Sequence, residues 1–299
     1  MDKNFKSGFA AIIGMPNVGK STLLNAAVGQ KIAIISDKPQ TTRNKILAIY
    51  NDENSQIIFT DTPGIHKPHN RLGEMMVRSA KESMNDNDIL IMVVDASRPV
   101  QDTERDIAES IKKTGLRSIL VINKVDVVKK DSLLPLIADY SNLNDFDAIV
   151  PVSAKTGDGV GLLIDEIKIL LESGPQYYYD DMITDQPEKQ LAAEIIREKM
   201  LWLLDKEVPH GIAIEIEKMQ EKESITAINA VIYCEKDTHK GIIIGKNGEM
   251  LKRIGALART DIEKMLDKKV YLELWVRVKK DWRNNNYLLK NFGFVQSGE

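Results

Sequence analysis

The chain has 299 residues, of which 43% are hydrophobic and 28% are charged, and its formal net charge is −3. This composition excludes a fibrous or disordered protein, and the length suits two domains of ordinary size. The slightly acidic balance argues against a protein that coats nucleic acid over its whole surface.

No segment contains the ~20 consecutive apolar residues of a transmembrane helix. The first residues lack the apolar core of a signal peptide, so we expect the protein to stay in the cytosol. The single cysteine, Cys234, lies inside an apolar run and is expected to be a buried structural thiol.

The first half of the chain alternates between strand-like and helix-like segments. Short apolar runs predict strands at 9–14, 46–50, 56–60, 89–94, 118–122 and 148–152. Helical spacing lies between several of these runs, at 20–28, 72–84, 103–113, 133–140 and 161–171. Strands that are apolar throughout and alternate with helices predict a doubly wound α/β domain with a mostly parallel sheet, over residues 1–175.

The periodicity stops over residues 172–187, and we predict a linker at 176–187. The predicted elements of the following α+β domain, 188–299, are a helix at 188–205, strands at 212–219 and 224–234, helices at 238–244 and 250–266, and a strand at 269–278. Basic residues are concentrated late in the chain: 240–290 contains 13 Lys/Arg against 6 Asp/Glu, whereas 182–239 contains 7 against 12. The second domain is therefore the better candidate for contact with nucleic acid.

The segment GMPNVGKS, residues 14–21, follows a predicted strand, precedes a predicted helix and has the spacing of a P-loop. Backbone amides of such a loop converge on phosphate oxygens at a helix N-terminus. Lys20 is predicted to reach the terminal phosphates, and Ser21 to ligate Mg²⁺. The predicted phosphate-binding residues are Gly14, Met15, Pro16, Asn17, Val18, Gly19, Lys20, Ser21 and Thr22.

A second motif, Asn123-Lys124-Val125-Asp126, lies at the carboxyl end of the predicted strand 118–122, where ligands bind in open α/β sheets. A carboxylate at Asp126 accepts two N–H bonds from guanine, whereas adenine would leave it desolvated and unpaired. Another polar triplet, Ser153-Ala154-Lys155, follows the next strand. Together these segments predict GTP as the nucleotide.

Two further polar segments lie between these motifs. Asp61-Thr62-Pro63-Gly64 follows the strand 56–60, so that Asp61 is placed to hold Mg²⁺ through water and Gly64 to offer its backbone N–H to the γ-phosphate. A threonine of Thr41-Thr42-Arg43 that binds Mg²⁺ only while the γ-phosphate is present would make a switch. The residues leave open which threonine binds the metal, and an ordinary polar loop is the alternative.

In their order over residues 14–155, these motifs resemble the translation-factor-like class of GTPases. Within this class, PQTTRNKILAIY and DTPGIHKPHNRLGEMM resemble the Era family, and the resemblance covers nearly the whole chain. It implies that Thr42 is the metal ligand and that Lys20, Thr42, Gly64 and Asn17 take part in GTP hydrolysis. Ile65 stands where Ras-type enzymes have a glutamine that orients water, so we expect slow hydrolysis to GDP.

Three residues near the phosphates have competing interpretations. In similar GTPases an asparagine at the position of Asn17 helps to bind K⁺, and we keep a K⁺ site as a hypothesis beside that of a loop residue bonded to its own backbone. His66 and His69 follow the DTPG motif and are interpreted as solvated switch residues rather than as catalytic bases.

The segment GIIIGKNGEM, residues 241–250, contains a second glycine–lysine turn. It has two residues between its last glycines and lies between predicted helices, so it cannot be a P-loop. G-x-x-G between helices is the means by which KH domains clamp single-stranded RNA. The predicted RNA-binding residues are Ile244, Gly245, Lys246, Asn247, Gly248, Lys252 and Arg253, with the isoleucines 242–244 forming an apolar groove.

Alternatives remain for this second domain. The turn suits a plain helical connection as well, and Trp282 either stacks on a base or packs at a helix start. The Era resemblance implies a type II KH domain that binds the 3′ end of 16S ribosomal RNA, and a role in assembly of the small (30S) subunit with Mg²⁺ and GTP/GDP. We further expect a monomer with peripheral contact at the inner membrane face. A GTP-dependent enzyme, or a GTPase whose second domain binds protein or membrane, are the other function classes.

Overall fold

In a computed structural model of the chain, residues 5–38 and 41–294 are described. They divide into two compact units. The first comprises the described residues up to Pro68 and Met76–Asp185, and the second comprises His69–Met75 and the described residues from Gln186 onward. The later division falls inside the segment 176–187 that was predicted as a linker.

The first unit is built on a sheet whose strands are β1 (Lys6–Ile13), β2 (Ile46–Asp52), β3 (Ser55–Asp61), β4 (Ile89–Asp95), β5 (Arg117–Asn123) and β6 (Ala148–Pro151). Among the described residues the strand order is β2-β3-β1-β4-β5-β6. Only β2 in this sheet runs antiparallel to its neighbour, β3. The predicted mostly parallel sheet is confirmed.

Helices cover both faces of this sheet: α1 (Lys20–Val28), α2 (Arg71–Glu82), α3 (Asp102–Thr114), α4 (Leu133–Ser141) and α5 (Val160–Leu170). On one face, Ile12 belongs to a core with residues of α1 and α5. Its neighbour Ile13 faces the opposite side and belongs to a core with residues of α2, α3 and α4. Strands buried on both faces explain why their sequences are apolar throughout, and the predicted doubly wound fold is confirmed.

Part of the segment 176–187 packs against the first unit. The Ile49 amide of edge strand β2 donates to the carbonyl of Ile183 at 2.9 Å. The side chain of Gln56, which is fully buried, donates to the carbonyl of Tyr178 at 2.9 Å and accepts from that residue's amide at 2.9 Å. An edge strand offers backbone groups without a strand partner, and this segment satisfies some of them. It is therefore not a free spacer along its whole length.

The second unit contains α6 (Glu188–Leu203), β7 (Ile212–Glu221), β8 (Ile225–Cys234), α7 (Asp237–Ile244), α8 (Glu249–Leu266), β9 (Lys269–Val278) and α9 (Asn286–Asn291). The strand order is β7-β8-β9 among the described residues, with β7 antiparallel and β9 parallel to β8. Helices α6, α7 and α8 share a core with one face of this sheet, through residues such as Ile196, Ile243 and Ile254. The predicted order α-β-β-α-α-β is confirmed, and α9 was not predicted.

Trp282 does not stack on a base, so that half of the prediction is wrong. Its side chain is 0% exposed, and its indole nitrogen donates to the carbonyl of Gly211 at 3.0 Å. The ring of Phe292 packs edge-on against it at 5.5 Å between centroids. The alternative interpretation, a packed tryptophan, is confirmed.

Cys234 is fully buried, as predicted. Within the described part of the chain, no helix has the length and apolar character needed to cross a membrane.

Candidate guanine-nucleotide and RNA sites

The predicted P-loop connects β1 to α1 and wraps around the Lys20 side chain. Lys20 is buried, and its ammonium donates to the carbonyls of Gly14 at 3.1 Å and Met15 at 2.9 Å. Burial lowers the pKa of Lys20 to about 8, although the charge of Asp61 opposes this shift. The pocket beside the ammonium is lined by the P-loop, the start of α1, Ile34–Ser36, Thr41, Thr42 and Gly64.

Three of the predicted metal-binding side chains lie together at the edge of this pocket. The Ser21 and Thr42 hydroxyls are 2.8 Å apart, and they donate to Asp61 Oδ2 at 2.8 and 3.0 Å. Thr41 also lines the pocket, but its hydroxyl donates to the carbonyl of Lys38 at 2.6 Å. The structure therefore joins Thr42, and not Thr41, to Ser21 and Asp61.

The Asp61 carboxylate lies in an environment that is suited to bind a cation. Its side chain is fully buried, and among the described residues its Oδ1 has no hydrogen-bond partner. Burial raises the pKa of Asp61, while Lys20, Ser21 and Thr42 act in the opposite direction. A carboxylate with an unpaired oxygen beside two hydroxyls is the hard oxygen environment that Mg²⁺ prefers, so these residues fit the ion.

The DTPG segment runs close against the P-loop. A Cβ on Gly64 would lie 2.8 Å from the nitrogen and 2.9 Å from the Cα of Pro16, so only glycine fits there. The Ile65 amide donates to the carbonyl of Gly14 at 3.2 Å, and the Ile65 side chain packs in the apolar core. The Thr62 hydroxyl donates to the carbonyl of Ile12 at 2.8 Å and so fixes the strand end.

The predicted base-recognition residues meet at the carboxyl ends of β5 and β6. The Asn123 amide donates to the carbonyl of Val18 at 2.8 Å and accepts from the Ala154 amide at 2.9 Å. Asp126 is exposed, and its Oδ1 accepts a hydrogen bond from the Ser153 hydroxyl at 2.7 Å. This hydrogen bond orients the Asp126 carboxylate, and because the side chain is exposed it is suited to accept N–H groups of a base.

The remaining predicted nucleotide residues surround the same edge of the sheet. The Val125 amide donates to the carbonyl of Val152 at 3.2 Å. Lys155 is exposed after β6, Thr22 lies in the first turn of α1, and Pro63 is buried between Asp61 and Gly64.

One acidic residue at this edge of the sheet, Asp95, was missed by the sequence analysis. The Lys124 ammonium donates to the carbonyl of Asn17 and to Asp95 Oδ2, both at 2.7 Å. Asp95 ends β4 and is nearly buried. Burial alone would raise its pKa, but the hydrogen bonds from Lys124 and Ser97 outweigh burial and lower it. An acid at the end of a strand between two motif-bearing strands was the signal that could have identified it.

Asn17 links the P-loop to the connection that precedes Thr41. Its backbone has a positive φ of 65°, and its side-chain amide donates to the carbonyl of Asp37 at 2.8 Å. The side chain thus bonds to the neighbouring loop, rather than to its own backbone as the alternative interpretation supposed.

The predicted RNA-binding loop lies between α7 and α8. Gly245 has a φ of 73°, and a Cβ there would lie 2.7 Å from Met250 Cβ, so the turn requires glycine. Lys246–Gly248 form a short 3₁₀ turn directly before α8. The side chains of this loop and of the first α8 turns are turned outward: Lys246, Asn247, Lys252 and Arg253 are exposed.

The isoleucines before this loop do not act as one groove. Ile243 is fully buried in the core, Ile244 packs partly against it, and Ile242 is 49% exposed. The prediction that these isoleucines pack below the loop is confirmed for Ile243. The prediction that all of them also form part of an apolar groove is wrong for it, because a helix turns consecutive side chains to different sides.

Both units match models of known protein families. Residues 9–124 match the family model described as "50S ribosome-binding GTPase", and residues 207–283 match the KH domain model. The GTPase Era of Clostridioides difficile is 53% identical over 97% of this chain and 99% of its own length. That of Ruminiclostridium cellulolyticum is 51% identical over 97% of this chain and 98% of its own.

Two solved structures are similar over almost the whole fold. One is a variant of Aquifex aeolicus Era bound to GDP·AlF₄⁻, and the other is Era in complex with MgGDPNP and nucleotides 1506–1542 of 16S ribosomal RNA. Each is 40% identical, with a TM-score of 0.95, and the match covers 98% of this chain and 100% of that chain. On its identity to these proteins along nearly the full length of both chains, the chain belongs to the Era family of GTPases.

Proposed function

We propose that this GTPase binds Mg·GTP at the P-loop and single-stranded RNA at the GxxG loop, and that hydrolysis to GDP switches its affinity for the RNA. The observation that carries the nucleotide half is the cluster of Ser21, Thr42 and Asp61 around the unpaired Asp61 Oδ1. Mg²⁺, when bound, neutralises charge on the β- and γ-phosphates.

The chain's own residues have separate roles in this proposal. Lys20 holds the terminal phosphates, Ser21 and Thr42 offer their hydroxyls to the metal, and Asp61 orients the metal's water. Gly64 brings its backbone N–H to the γ-phosphate, which is supported by its close approach to Pro16. Because Thr42 lies in a connecting loop, loss of the γ-phosphate releases that loop.

Asn17 is proposed to help hold K⁺ near the phosphates. The support is its position in the P-loop, where its amide bonds to the loop that contains Asp37. Turnover measured in K⁺ and Na⁺ buffers tests this: faster hydrolysis in K⁺ that is lost in Asn17→Ala is expected, and equal rates in the two buffers would exclude K⁺.

Asp126 is proposed to select guanine, supported by its exposure and by its orientation through Ser153. An amide cannot accept the two N–H bonds of guanine, whereas it can pair with the carbonyl of xanthine. Asp126→Asn should therefore move the preference from GTP to xanthosine triphosphate in a competition assay. Unaltered specificity would remove Asp126 from this role.

For the RNA half, we propose the 3′ end of 16S ribosomal RNA, through Ile244, Gly245, Lys246, Asn247, Gly248, Lys252 and Arg253. Support comes from the exposed Lys246 beside the constrained Gly245, and from the 16S segment bound in the related Era structure. The glycines let the RNA backbone pass close, and the lysine contacts phosphate.

The double variant Gly245→Asp/Lys246→Glu tests the loop. It should lose binding of a 16S 3′-end oligonucleotide while GTP hydrolysis persists, because the nucleotide residues are untouched. Lys264→Glu makes the same charge reversal as Lys246→Glu in the last turn of α8, away from the loop, and should retain RNA binding. RNA affinity equal to wild type in the double variant would refute the role of the loop.

We further propose a GTPase domain over 1–175, a linker over 176–187 and a KH domain over 188–299. The protein is proposed to be a cytosolic monomer that acts on the 30S subunit. Co-sedimentation with 30S subunits in the presence of GDP or a GTP analogue checks the partner. Peripheral membrane contact stays a prediction, for which flotation with anionic vesicles is the measurement.

A further inference from the structure

The second sheet carries two large exposed aromatic side chains on the face turned away from α6, α7 and α8. Tyr271 and Trp275 are 58% and 56% exposed, although tryptophan is on average highly buried and tyrosine is intermediate. Both lie on β9, and their even spacing puts them on one side, because side chains alternate along a strand. Neither residue has a role in the proposed function above.

The backbone of β9 keeps the two rings apart. In register with them on β8 are Ala227, beside Tyr271, and the fully buried Val231, beside Trp275. Four residues of strand separate their Cα atoms by about 13 Å. One base cannot span that separation, so the pair suits two different bases of a strand.

The segment around these rings carries more positive than negative charge. Residues 268–280, KKVYLELWVRVKK, contain five basic residues and one acid, Glu273. Within β9, Lys269 and Arg277 share the side of the rings with Glu273, because side chains alternate along a strand. Arg277 pairs with Glu217 at 2.7 Å and Lys268 pairs with Glu221, and all four side chains are well exposed. Exposed ion pairs of this kind are weak, so phosphate can compete for the cations.

The aromatic face and the helix α8 that follows the GxxG loop lie on opposite sides of the same strand, β9. On the opposite face of this strand, Leu274 lies close to α8, where a Cβ added to Gly255 would be 3.4 Å away. β9 also ends the strand order of this sheet in the described part of the chain. An RNA strand that leaves the GxxG loop beside α8 would reach the rings by passing around this edge strand.

We propose that Tyr271 and Trp275 form a second contact for single-stranded RNA, on which two bases stack after the strand leaves the GxxG loop. The inference rests on the proposed RNA binding of that loop. Stacking on aromatic rings is tolerant of sequence, since every base has a π-face. The second contact therefore adds affinity and length to the binding site rather than sequence selection.

RNA length separates the two contacts experimentally. Two oligonucleotides from the 16S region bound in the related structure are used with the full chain: one of about four nucleotides, the footprint of a GxxG loop, and one of about twelve. Trp275→Ala and Tyr271→Ala should each weaken binding of the longer RNA about tenfold and leave the shorter one unchanged. Trp275→Phe should retain most of the affinity, because it keeps an aromatic ring.

Tyr287→Ala is the matched control, since it removes a tyrosine that is 73% exposed on α9 of the same unit. Thermal unfolding of each variant verifies that the fold is intact. Wild-type affinity of both alanine variants for the longer RNA, with Gly245→Asp impaired, would overturn this inference and leave the proposed function standing.

Two other outcomes are equally decisive. A wild-type chain that binds neither RNA would overturn the proposed RNA function together with this contact. A concentration-dependent dimer in sedimentation that Trp275→Ala abolishes, with RNA binding unchanged, would assign the face to a second copy of the chain instead.

Discussion

At the residue scale, Lys20 and Asp61 share one buried site, and burial pushes both toward their neutral forms. It lowers the pKa of Lys20 to about 8 and raises that of Asp61. Their mutual attraction opposes both shifts but does not cancel them. Bound phosphate next to Lys20 favours the charged ammonium, so nucleotide and proton binding are linked at this lysine.

Nucleotide affinity should therefore depend on pH above neutrality. The pKa of Lys20 is about 8 without nucleotide and higher with it, so binding takes up a proton once the pH exceeds about 8. GDP affinity should be full below this pH and fall by up to about tenfold per pH unit above it. Calorimetric titrations at several pH values, in buffers of different ionisation enthalpy, measure the proton uptake. Affinity that is flat with pH and binding without proton uptake would contradict the prediction.

Asp95 accepts a hydrogen bond from the Lys124 ammonium at 2.7 Å, and we expect it to position that lysine. Asp95→Asn keeps the shape but removes the charge that holds the ammonium, and GDP release should become about tenfold faster, the effect of losing one charge-assisted hydrogen bond. Stopped-flow release of a fluorescent GDP measures this. Ser97→Ala is the control, because it removes another bond to Asp95 without touching Lys124. Additive effects of Asp95→Asn and Lys124→Met would show that the two residues act separately.

At the element scale, the chain after β9 is part of the fold of the second unit. Trp282 and Phe292 bury apolar rings there, and Phe292 also packs against Tyr233 of β8 at 4.8 Å between centroids. Helix α9 is too short for helical periodicity in the sequence to identify it. Its position depends on these long-range ring contacts.

Trp282→Ala should destabilise the protein by about 3–5 kcal/mol, the usual cost of removing a fully buried aromatic side chain. Denaturant unfolding followed by circular dichroism measures the loss, and Trp282→Phe should lose less because it fills more of the space. Under conditions where the variant is folded, RNA affinity should match wild type. Weaker RNA binding at unchanged stability would restore the stacking role that burial excludes.

At the scale of the whole molecule, the proposed function requires one chain to bind both GTP and RNA. If GTP changes the affinity for RNA, RNA must change the affinity for GTP by the same factor. We expect a factor of about 5–150, the usual range for coupled sites. Binding of the 16S oligonucleotide with GDP and with a GTP analogue, and of both nucleotides with and without RNA, measures the two factors. Equal affinities in all states would mean that the two sites are independent.

Much of this protein was predictable because its motifs are local. A P-loop, a guanine-recognition tetrapeptide and a GxxG turn each place their chemistry in consecutive residues, and strand and helix periodicity places them at the ends of elements. The doubly wound sheet, the order of the second domain and the Era resemblance follow from such local patterns, and all three are confirmed.

Only the tertiary structure decided matters that depend on contacts between distant segments. The residues by themselves left Thr41 and Thr42 open and the family resemblance favoured Thr42, which the fold brings to Ser21 and Asp61. Asp95 reaches Lys124 from a neighbouring strand. The pattern of apolar and polar residues does not distinguish an exposed tryptophan from a buried one. Packing in the fold buries Trp282 and leaves Trp275 exposed. The physical reason is the same in each case: sequence spacing determines which side chains share an element, but the fold determines which of them meet.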